Sequence, residues 1–365
     1  MKTAYSRILA AAYSTIWVIE PNKLNTILGF LELKAAGLGP SVETIAKIEA
    51  ANLEAARRAD SFANTGGSVA VLPLYGLISH RASMMNSISG PGGTSCQKFG
   101  AQLHQAVSDP GCKAIVIDVD SPGGMVEGVA ELAADILQAR GKKPIIAVSD
   151  CLMASAAYWI CSACSEIVVS PSSQTGSIGV YTAHVDESKA LDMEGVKKTL
   201  ISYGKYKTEG NPYEPLTDEA QTAMQRTVDA YGEMFVRAVA KGRGVSADAV
   251  RGGFAQGRMA TAQEAVDLGM ADRIATLDQV LEKYGVNRSN GVPMDAAAKA
   301  PVVRASAKAD GMECECPCEP CIGGDCSICD HEACDCAGCT CPTAEEMSKK
   351  AKRSAISRRL QLASL

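Results

Sequence analysis

From Ser68 onward, short segments rich in Val and Ile alternate with segments of helical periodicity, and this alternation constrains the fold more than any other feature. The apolar segments read SVAVLPLYGLI, KAIVIDVDSPGG, KPIIAVSD, EIVVS, SIGVYTAHV and KKTLISYG. Strands that are apolar throughout are typical of sheets with helices on both faces. The pattern therefore predicts an α/β fold with a parallel or mixed sheet covered by helices.

Composition and charge narrow the class of protein. Hydrophobic residues make up 47% of the 365 and aromatic residues only 5%, so small aliphatic side chains must build the core. The formal net charge of −5 gives no electrostatic reason to expect nucleic acid as a partner. Near the start, SRILAAAYSTIWVIE has the outline of a signal peptide, but polar residues interrupt it, and no segment reaches the roughly 18 apolar residues of a membrane span. We therefore expect no membrane anchor and a cytoplasmic location.

The chain divides into five regions by pattern. An alanine-rich helical lead segment ends at a Gly-Gly break, and the alternating α/β pattern follows it. After that pattern come a low-information linker, a cysteine-rich segment and a basic tail. The predicted bounds are 1–66, 67–285, 286–312, 313–342 and 343–365.

Three loops that follow predicted strands carry small residues, which allow the backbone to come close to a neighbouring group. DSPGG ends in Gly124 at a strand-to-helix junction, where successive glycines let N–H groups point outward toward an oxyanion. DCLMAS places Ser155 at the start of a helix, where free N–H groups favour negative charge, and TGSIGV supplies Ser177. Ser155 is thus a candidate nucleophile, the alternative being a small residue that fills a tight helix contact.

A serine nucleophile needs a base, and the sequence offers two kinds. Of the four histidines, His184 is the best candidate, about thirty residues beyond the serine. Lys205 and Lys207 follow the predicted strand KKTLISYG. A lysine serves as a base near neutral pH only if its pKa falls by about three units, which costs about 4 kcal/mol and requires burial. The residues alone leave the base open.

The segments DSPGG, MASAAYW, TGSIGV, HVDESKAL and YGKYKTEGNPYEP, in this order and spacing, resemble the S49 serine peptidases, the family of signal peptide peptidase A. The resemblance covers about residues 68–285. The forms SAAYW and GNPYEPL are similar to the phage head-maturation proteases of that family, and STIWVIEPNKLNTILGFLE resembles their lead segment.

This resemblance implies a ClpP/crotonase-like fold of repeated strand-strand-helix units and a serine endopeptidase with a Ser-Lys dyad. It implies that Ser155 is the nucleophile and Lys207 the general base. Gly124 matches the oxyanion-hole glycine, joined by the N–H of Ala156, and Ser177 matches the hydroxyl that orients the lysine. No cofactor is expected for this catalysis.

The resemblance to phage proteases also implies partners and a place of action. We expect capsid, scaffold or portal proteins as substrates, a homo-oligomer, and action in the host cytoplasm or within the immature capsid. Three alternatives stay open: a cellular peptidase that degrades signal peptides, a crotonase-type acyl-CoA enzyme on the same fold, and a non-catalytic metal-binding scaffold protein with a relic peptidase domain.

The cysteine-rich segment holds ten cysteines between Cys314 and Cys341. Pairs at C-x-x-C spacing are typical of zinc sites, so the segment predicts a structural zinc, with a reduced thiol tail or disulfides as alternatives. The pairs are Cys318 with Cys321, Cys326 with Cys329, and Cys336 with Cys339.

Overall fold

A mixed, mostly parallel sheet forms the centre of the fold, as the alternating pattern predicts. The computed structural model of the protein describes residues 9, 12–13, 15–35, 68–81 and 93–286. Within these residues the strands are β1 (Trp17–Ile19), β2 (Val69–Ser79), β3 (Thr94–Ser95), β4 (Ala114–Met125), β5 (Ile145–Ala154), β6 (Glu166–Val169), β7 (Gln174–Gly176), β8 (Met259–Thr261) and β9 (Arg273–Ile274).

Helices connect most of these strands, and a 26-residue helix is the longest of those described. They are α1 (Pro21–Ala35), α2 (Cys96–Ser108), α3 (Val129–Ala139), α4 (Ala156–Cys161), α5 (Ser188–Met193), α6 (Asp218–Arg243), α7 (Ala247–Gly253), α8 (Ala262–Asp267) and α9 (Leu277–Glu282).

The main path of the sheet runs β3-β2-β4-β5-β6-β9, and each neighbouring pair on it is parallel. Strand β7 pairs in parallel with the end of β5 and antiparallel with β8. Strand β1 lies antiparallel to the end of β4. Because the carboxyl ends of parallel strands share one edge of a sheet, the glycines that end β4 lie near the serine that follows β5.

Apolar side chains cover both faces of the central strands, which explains their nearly continuous Val/Ile sequences. Ile115 and Ile117 of β4 belong to the main apolar cluster with α2, α3 and α4. Val116 and Val148 alternate onto the other face, where they pack with Val280 of α9. The α/β class is therefore confirmed, with helices on both faces.

Helix α6 holds the short helix α4 in place. The ring of Trp159 stacks on Phe235 at 4.6 Å between centroids. A Cβ on Gly242 would collide with the carbonyl group of Ser162, so only glycine allows the two backbones to approach this closely. The segment that begins with the candidate serine is therefore fixed by packing along its whole length.

The N-terminal segment has a small core of its own. Helix α1 begins where the Glu20 carboxylate accepts hydrogen bonds from the Asn22 and Lys23 N–H groups (3.1 and 2.9 Å). The Trp17 indole N–H donates to the Ala12 carbonyl at 2.8 Å. The cluster contains Trp17, Ile19, Leu24, Ile27, Leu31 and Leu77 of β2. Helix α1 lies within the region predicted to be helical, whereas the alanine-rich segment that carried this prediction lies outside the described residues. Strand β1 was not predicted.

Two predicted strands do not form in the described part of the chain. The segment SIGVYTAHV contributes one isolated bridge, between Tyr181 and Trp17. The segment KKTLISYG lies in an irregular stretch, residues 196–217, where Leu200 and Ile201 are 45% and 96% exposed. A β-rich sequence without a partner strand stays irregular, because strand propensity reflects packing rather than the backbone alone.

Asp272 links α6 and β6 through its carboxylate. It accepts two hydrogen bonds from the Arg243 guanidinium (2.8 and 2.9 Å) and one from the Ile167 N–H (2.7 Å). Burial acts to raise the pKa of Asp272, but the hydrogen bonds from Arg243 and Ile167 outweigh it and leave the pKa below its ordinary value.

We predict that Asp272→Asn lowers the free energy of unfolding at pH 7 by about 1–2 kcal/mol. This is the contribution of hydrogen bonds to a charged group, reduced because the carboxylate is 39% exposed and solvent screens its charge. Because the pKa of Asp272 is lower in the folded state, its carboxylate stabilises the fold at pH values above the unfolded-state pKa of about 3.9. This contribution disappears as pH falls through the folded-state pKa. Urea unfolding from pH 7 to pH 3 should show the two proteins converging. A pH-independent difference would contradict the prediction.

Candidate active site

Ser155 occupies the junction between β5 and α4 in a strained backbone conformation. Its φ and ψ are 55° and −114°, outside the regions that non-glycine residues favour. Its N–H donates to the Gly176 carbonyl at 2.8 Å, and its carbonyl accepts from the Trp159 N–H at 2.9 Å. Strain of this kind costs about 1–3 kcal/mol and is found most often at functional sites.

The Ser155 hydroxyl is fully buried, at 0% exposure, and its Oγ has no hydrogen-bond partner among the described residues. An unpaired buried hydroxyl costs about 1–3 kcal/mol. If this position only filled a helix contact, alanine would fill it without the cost of an unpaired hydroxyl. Strain and an unpaired hydroxyl at one residue therefore favour the nucleophile interpretation.

The loop that ends β4 lies against the start of α4. Gly123 has φ +100°, and a Cβ placed on it would lie 3.0 Å from the Ala156 nitrogen. A Cβ on Gly124 would collide with the Ile78 carbonyl. Side chains at either glycine would separate the loop from its neighbours. The structure thus places the DSPGG loop, through Gly123, against the start of α4, next to Ser155. The oxyanion-hole roles of Gly124 and Ala156 stay predictions.

Ser121 fixes this loop, and the sequence analysis did not identify it. Its hydroxyl donates to the Gly76 carbonyl at 2.7 Å and accepts from the Gly123 N–H at 3.2 Å. The signal was present in DSPGG, since a serine two residues before a glycine commonly bonds the backbone of its own turn.

Ser177 lies directly after Gly176, whose carbonyl is bonded to the Ser155 N–H. Its backbone also has a positive φ, 53°, and its N–H donates to the Arg258 carbonyl at 2.9 Å. Ser177 is therefore buried beside the strand that leads to Ser155, and its role in orienting the lysine stays a prediction.

Lys207 lies in the irregular stretch 196–217 and is exposed. Its backbone N–H donates to the Gly204 carbonyl at 3.2 Å. The burial that a lysine base requires is not present in this arrangement of the chain, and the hydroxyl of Ser155 is not bonded to Lys207. The predicted dyad is thus not assembled within the described residues.

The competing bases have other partners. Lys205 donates to the Tyr206 hydroxyl (2.9 Å) and to Glu219 (3.0 Å), and these hydrogen bonds raise its pKa. The His184 Nε2 bonds the Asn211 carbonyl at 3.0 Å, so that nitrogen carries the proton. Both side chains therefore hold the surface of the irregular stretch together, which is a structural role.

The six cysteines predicted to bind zinc lie outside the described residues. Within those residues no group of three or more His, Cys, Asp or Glu side chains is arranged to hold a metal ion. Of the thiols there, Cys96 is buried, which raises its pKa to about 12. No described helix combines the length and apolarity that crossing a bilayer requires.

Comparison with known proteins identifies the family. The sequence model of Peptidase family S49 matches residues 138–288, which include the serine, the lysine and the loops between them. The chain belongs to this family. The predicted resemblance is therefore confirmed, and so is the ClpP-like fold, which is the fold of S49 peptidases.

Several relatives have names that bear on function. Capsid assembly protease C of Escherichia phage lambda is 37% identical over 218 residues, 60% of this chain and 48% of that protein. The head-tail preconnector protein of Enterobacteria phage P21 is 32% identical over 284 residues, 75% of this chain and 56% of its own length. Protease 4 of Salmonella typhi is 30% identical over 222 residues, 60% of this chain and 35% of that protein. The chain thus spans about half the length of the phage relatives that it matches.

Proposed function

We propose that this protein is a serine endopeptidase that uses Ser155 as its nucleophile. The observation that carries the proposal is the Ser155 hydroxyl, which is buried, unpaired and set on a strained turn beside the glycine loop. Membership of family S49 and the relatives named as proteases support it.

The chemistry follows from the roles of these groups. Ser155 Oγ bonds to the scissile carbonyl carbon while its proton passes to the Lys207 amine, and the Gly124 and Ala156 N–H groups stabilise the oxyanion. The tetrahedral intermediate then breaks its C–N bond, and the proton of Lys207 goes to the leaving amine. Water attacks the acyl-enzyme in the same way and regenerates the hydroxyl.

Lys207 must be buried for this reaction, and we propose that a second copy of the chain supplies that burial. The stretch around Lys207 exposes a group of large apolar side chains, which would favour contact with another protein surface. They are Met193, Val196, Leu200, Ile201, Tyr203 and Tyr206. A homo-oligomer would cover these side chains and exclude water from the lysine.

We propose capsid, scaffold or portal proteins as the substrates, cut in the host cytoplasm or within the immature capsid. Two relatives support this substrate class, because one is named a capsid assembly protease and the other a head-tail preconnector protein. An exposed loop of an unassembled capsid protein can enter a cleft as an extended strand, which is the form that strand pairing recognises.

A fluorophosphonate, which phosphonylates activated serines with loss of fluoride, tests the nucleophile. Prolonged incubation should add one adduct, and peptide mapping should place it on Ser155 rather than on Ser177. A crotonase-type acyl-CoA enzyme does not need a serine at this position and would give no adduct there. Absence of the adduct from a sample that hydrolyses peptides would contradict the proposal.

We also propose that the cysteine-rich segment binds a structural zinc ion, separate from catalysis. Protein purified without chelator under reducing conditions should carry at least about one zinc per chain, since C-x-x-C pairs bind this metal tightly. Replacing Cys318 and Cys321 by serine should lower the zinc content measured by atomic absorption and leave peptide hydrolysis unchanged. Metal-free wild-type protein would contradict the proposal.

A further inference from the structure

Strand β1 is hydrogen-bonded on both of its edges. On one side it pairs antiparallel with the end of β4, Val18 opposite Gly124. On the other side the Trp17 N–H donates to the Tyr181 carbonyl (2.8 Å), and the Tyr181 N–H donates back to Trp17 (3.0 Å). Successive residues of β1 thus form hydrogen bonds on opposite sides, Val18 toward β4 and Trp17 toward Tyr181. An extended peptide held between two strands bonds in the same way.

The register places the Val18 carbonyl at the candidate oxyanion hole. The Glu20 N–H donates to the Pro122 carbonyl at 2.8 Å, which fixes the alternation of bonded pairs along this ladder. Val18 and Gly124, which are opposite each other in the register, are therefore a bonded pair. The geometry of such a pair implies that the Gly124 N–H donates to the Val18 carbonyl. A Cβ on Gly123 would collide with that carbonyl oxygen and lie 3.0 Å from the Ala156 nitrogen.

Side chains of β1 alternate between two environments. Val18 is fully buried and belongs to the main apolar cluster, which also contains Ile78 and Ala156. Trp17 and Ile19 point to the separate cluster formed with α1. Val18 is therefore the residue of β1 that fills a pocket in the catalytic domain, and its neighbours anchor the segment to the lead helix.

We propose that residues 16–20 occupy the peptide-binding cleft in the register of a substrate, with Val18 as the residue whose carbonyl faces Ser155. The segment must leave before another protein is cut. The same geometry assigns the cleft a preference for an extended peptide with a small, β-branched apolar residue before the cut bond. This inference rests on the proposed serine peptidase function.

The first test compares the rate at which a fluorophosphonate labels Ser155 in the full chain. Val18→Asp puts a charge into an apolar pocket, so the segment should leave and labelling should accelerate by about tenfold or more, as expected when a cleft occupied about 90% of the time is freed. The control is Val245→Asp, the same change at an exposed residue, which should label like wild type. Equal labelling of both variants and wild type would overturn the proposal.

The second test uses wild-type protein, so that it holds even if Val18→Asp fails to fold. A tripeptide boronic acid with the sequence of residues 16–18 forms a bond to an active serine, and intact mass reports that adduct. Hydrogen exchange of the Trp17 and Val18 amides should accelerate when the boronate is bound, because both occupants need the same cleft. Bound boronate with unchanged exchange would overturn the inference and leave the peptidase function standing. Absence of any adduct together with absence of peptide hydrolysis would remove both.

Discussion

Replacing Ser155 by alanine should abolish peptide-bond hydrolysis without lowering the stability of the fold. Loss of a serine nucleophile typically reduces turnover by at least about 10³-fold. The hydroxyl has no partner within the described residues, so its removal breaks no hydrogen bond there and relieves the cost of an unpaired buried group. The free energy of unfolding should therefore stay equal to wild type or rise by up to about 1–3 kcal/mol.

Ser149→Ala is the matched control for this experiment. Ser149 lies on β5, is likewise buried, and its Oγ is likewise unpaired among the described residues. The two substitutions should therefore shift stability alike, while only Ser155→Ala loses hydrolysis of a peptide substrate. Full activity in Ser155→Ala would exclude the serine as nucleophile. Equal loss in both variants would show that removing a buried hydroxyl in this region disrupts the site by itself.

The central strands and the position of the candidate nucleophile follow from local sequence. Each of β4 and β5 begins as a nearly continuous apolar segment and ends in small residues. Burial on both faces leaves such a segment few other structures. Because parallel strands end at one edge, DSPGG and the serine after β5 had to meet there. The strained φ of Ser155 and the roles of Ser121 and Gly123 depend on contacts between loops, which local pattern does not report.

Strand β1 and the stretch 196–217 show why the rest was not predicted. The three residues of β1 carry too little periodicity to identify a strand, and they become one only because β4 and Tyr181 offer bonds on either side. The stretch around Leu200 and Ile201 is the opposite case. Its sequence favours a strand, but no partner strand is present in the described residues, and the stretch stays irregular. Strand formation in both cases was decided by pairing.

Replacing Lys207 by methionine should remove nearly all hydrolysis of a peptide substrate, because methionine has similar length and cannot accept a proton. General base catalysis contributes about 10²–10⁴-fold to rate, so the loss should fall in that range. Lys207 is exposed in this structure, and surface substitutions usually change stability by less than about 0.5 kcal/mol. Urea unfolding should therefore match wild type, which separates a catalytic loss from a structural one.

Lys205→Met and His184→Ala are the comparison variants for the base. Lys205 is tied to Tyr206 and Glu219, which favour its protonated form, and the His184 Nε2 donates its proton to a backbone carbonyl. Because both side chains have these other partners and family membership favours Lys207 as the base, both variants should keep most of their turnover. If His184→Ala were inactive and Lys207→Met fully active, a histidine base would replace the Ser-Lys dyad. The exposed position of Lys207 would then be its working position, and no second copy of the chain would be needed to bury it.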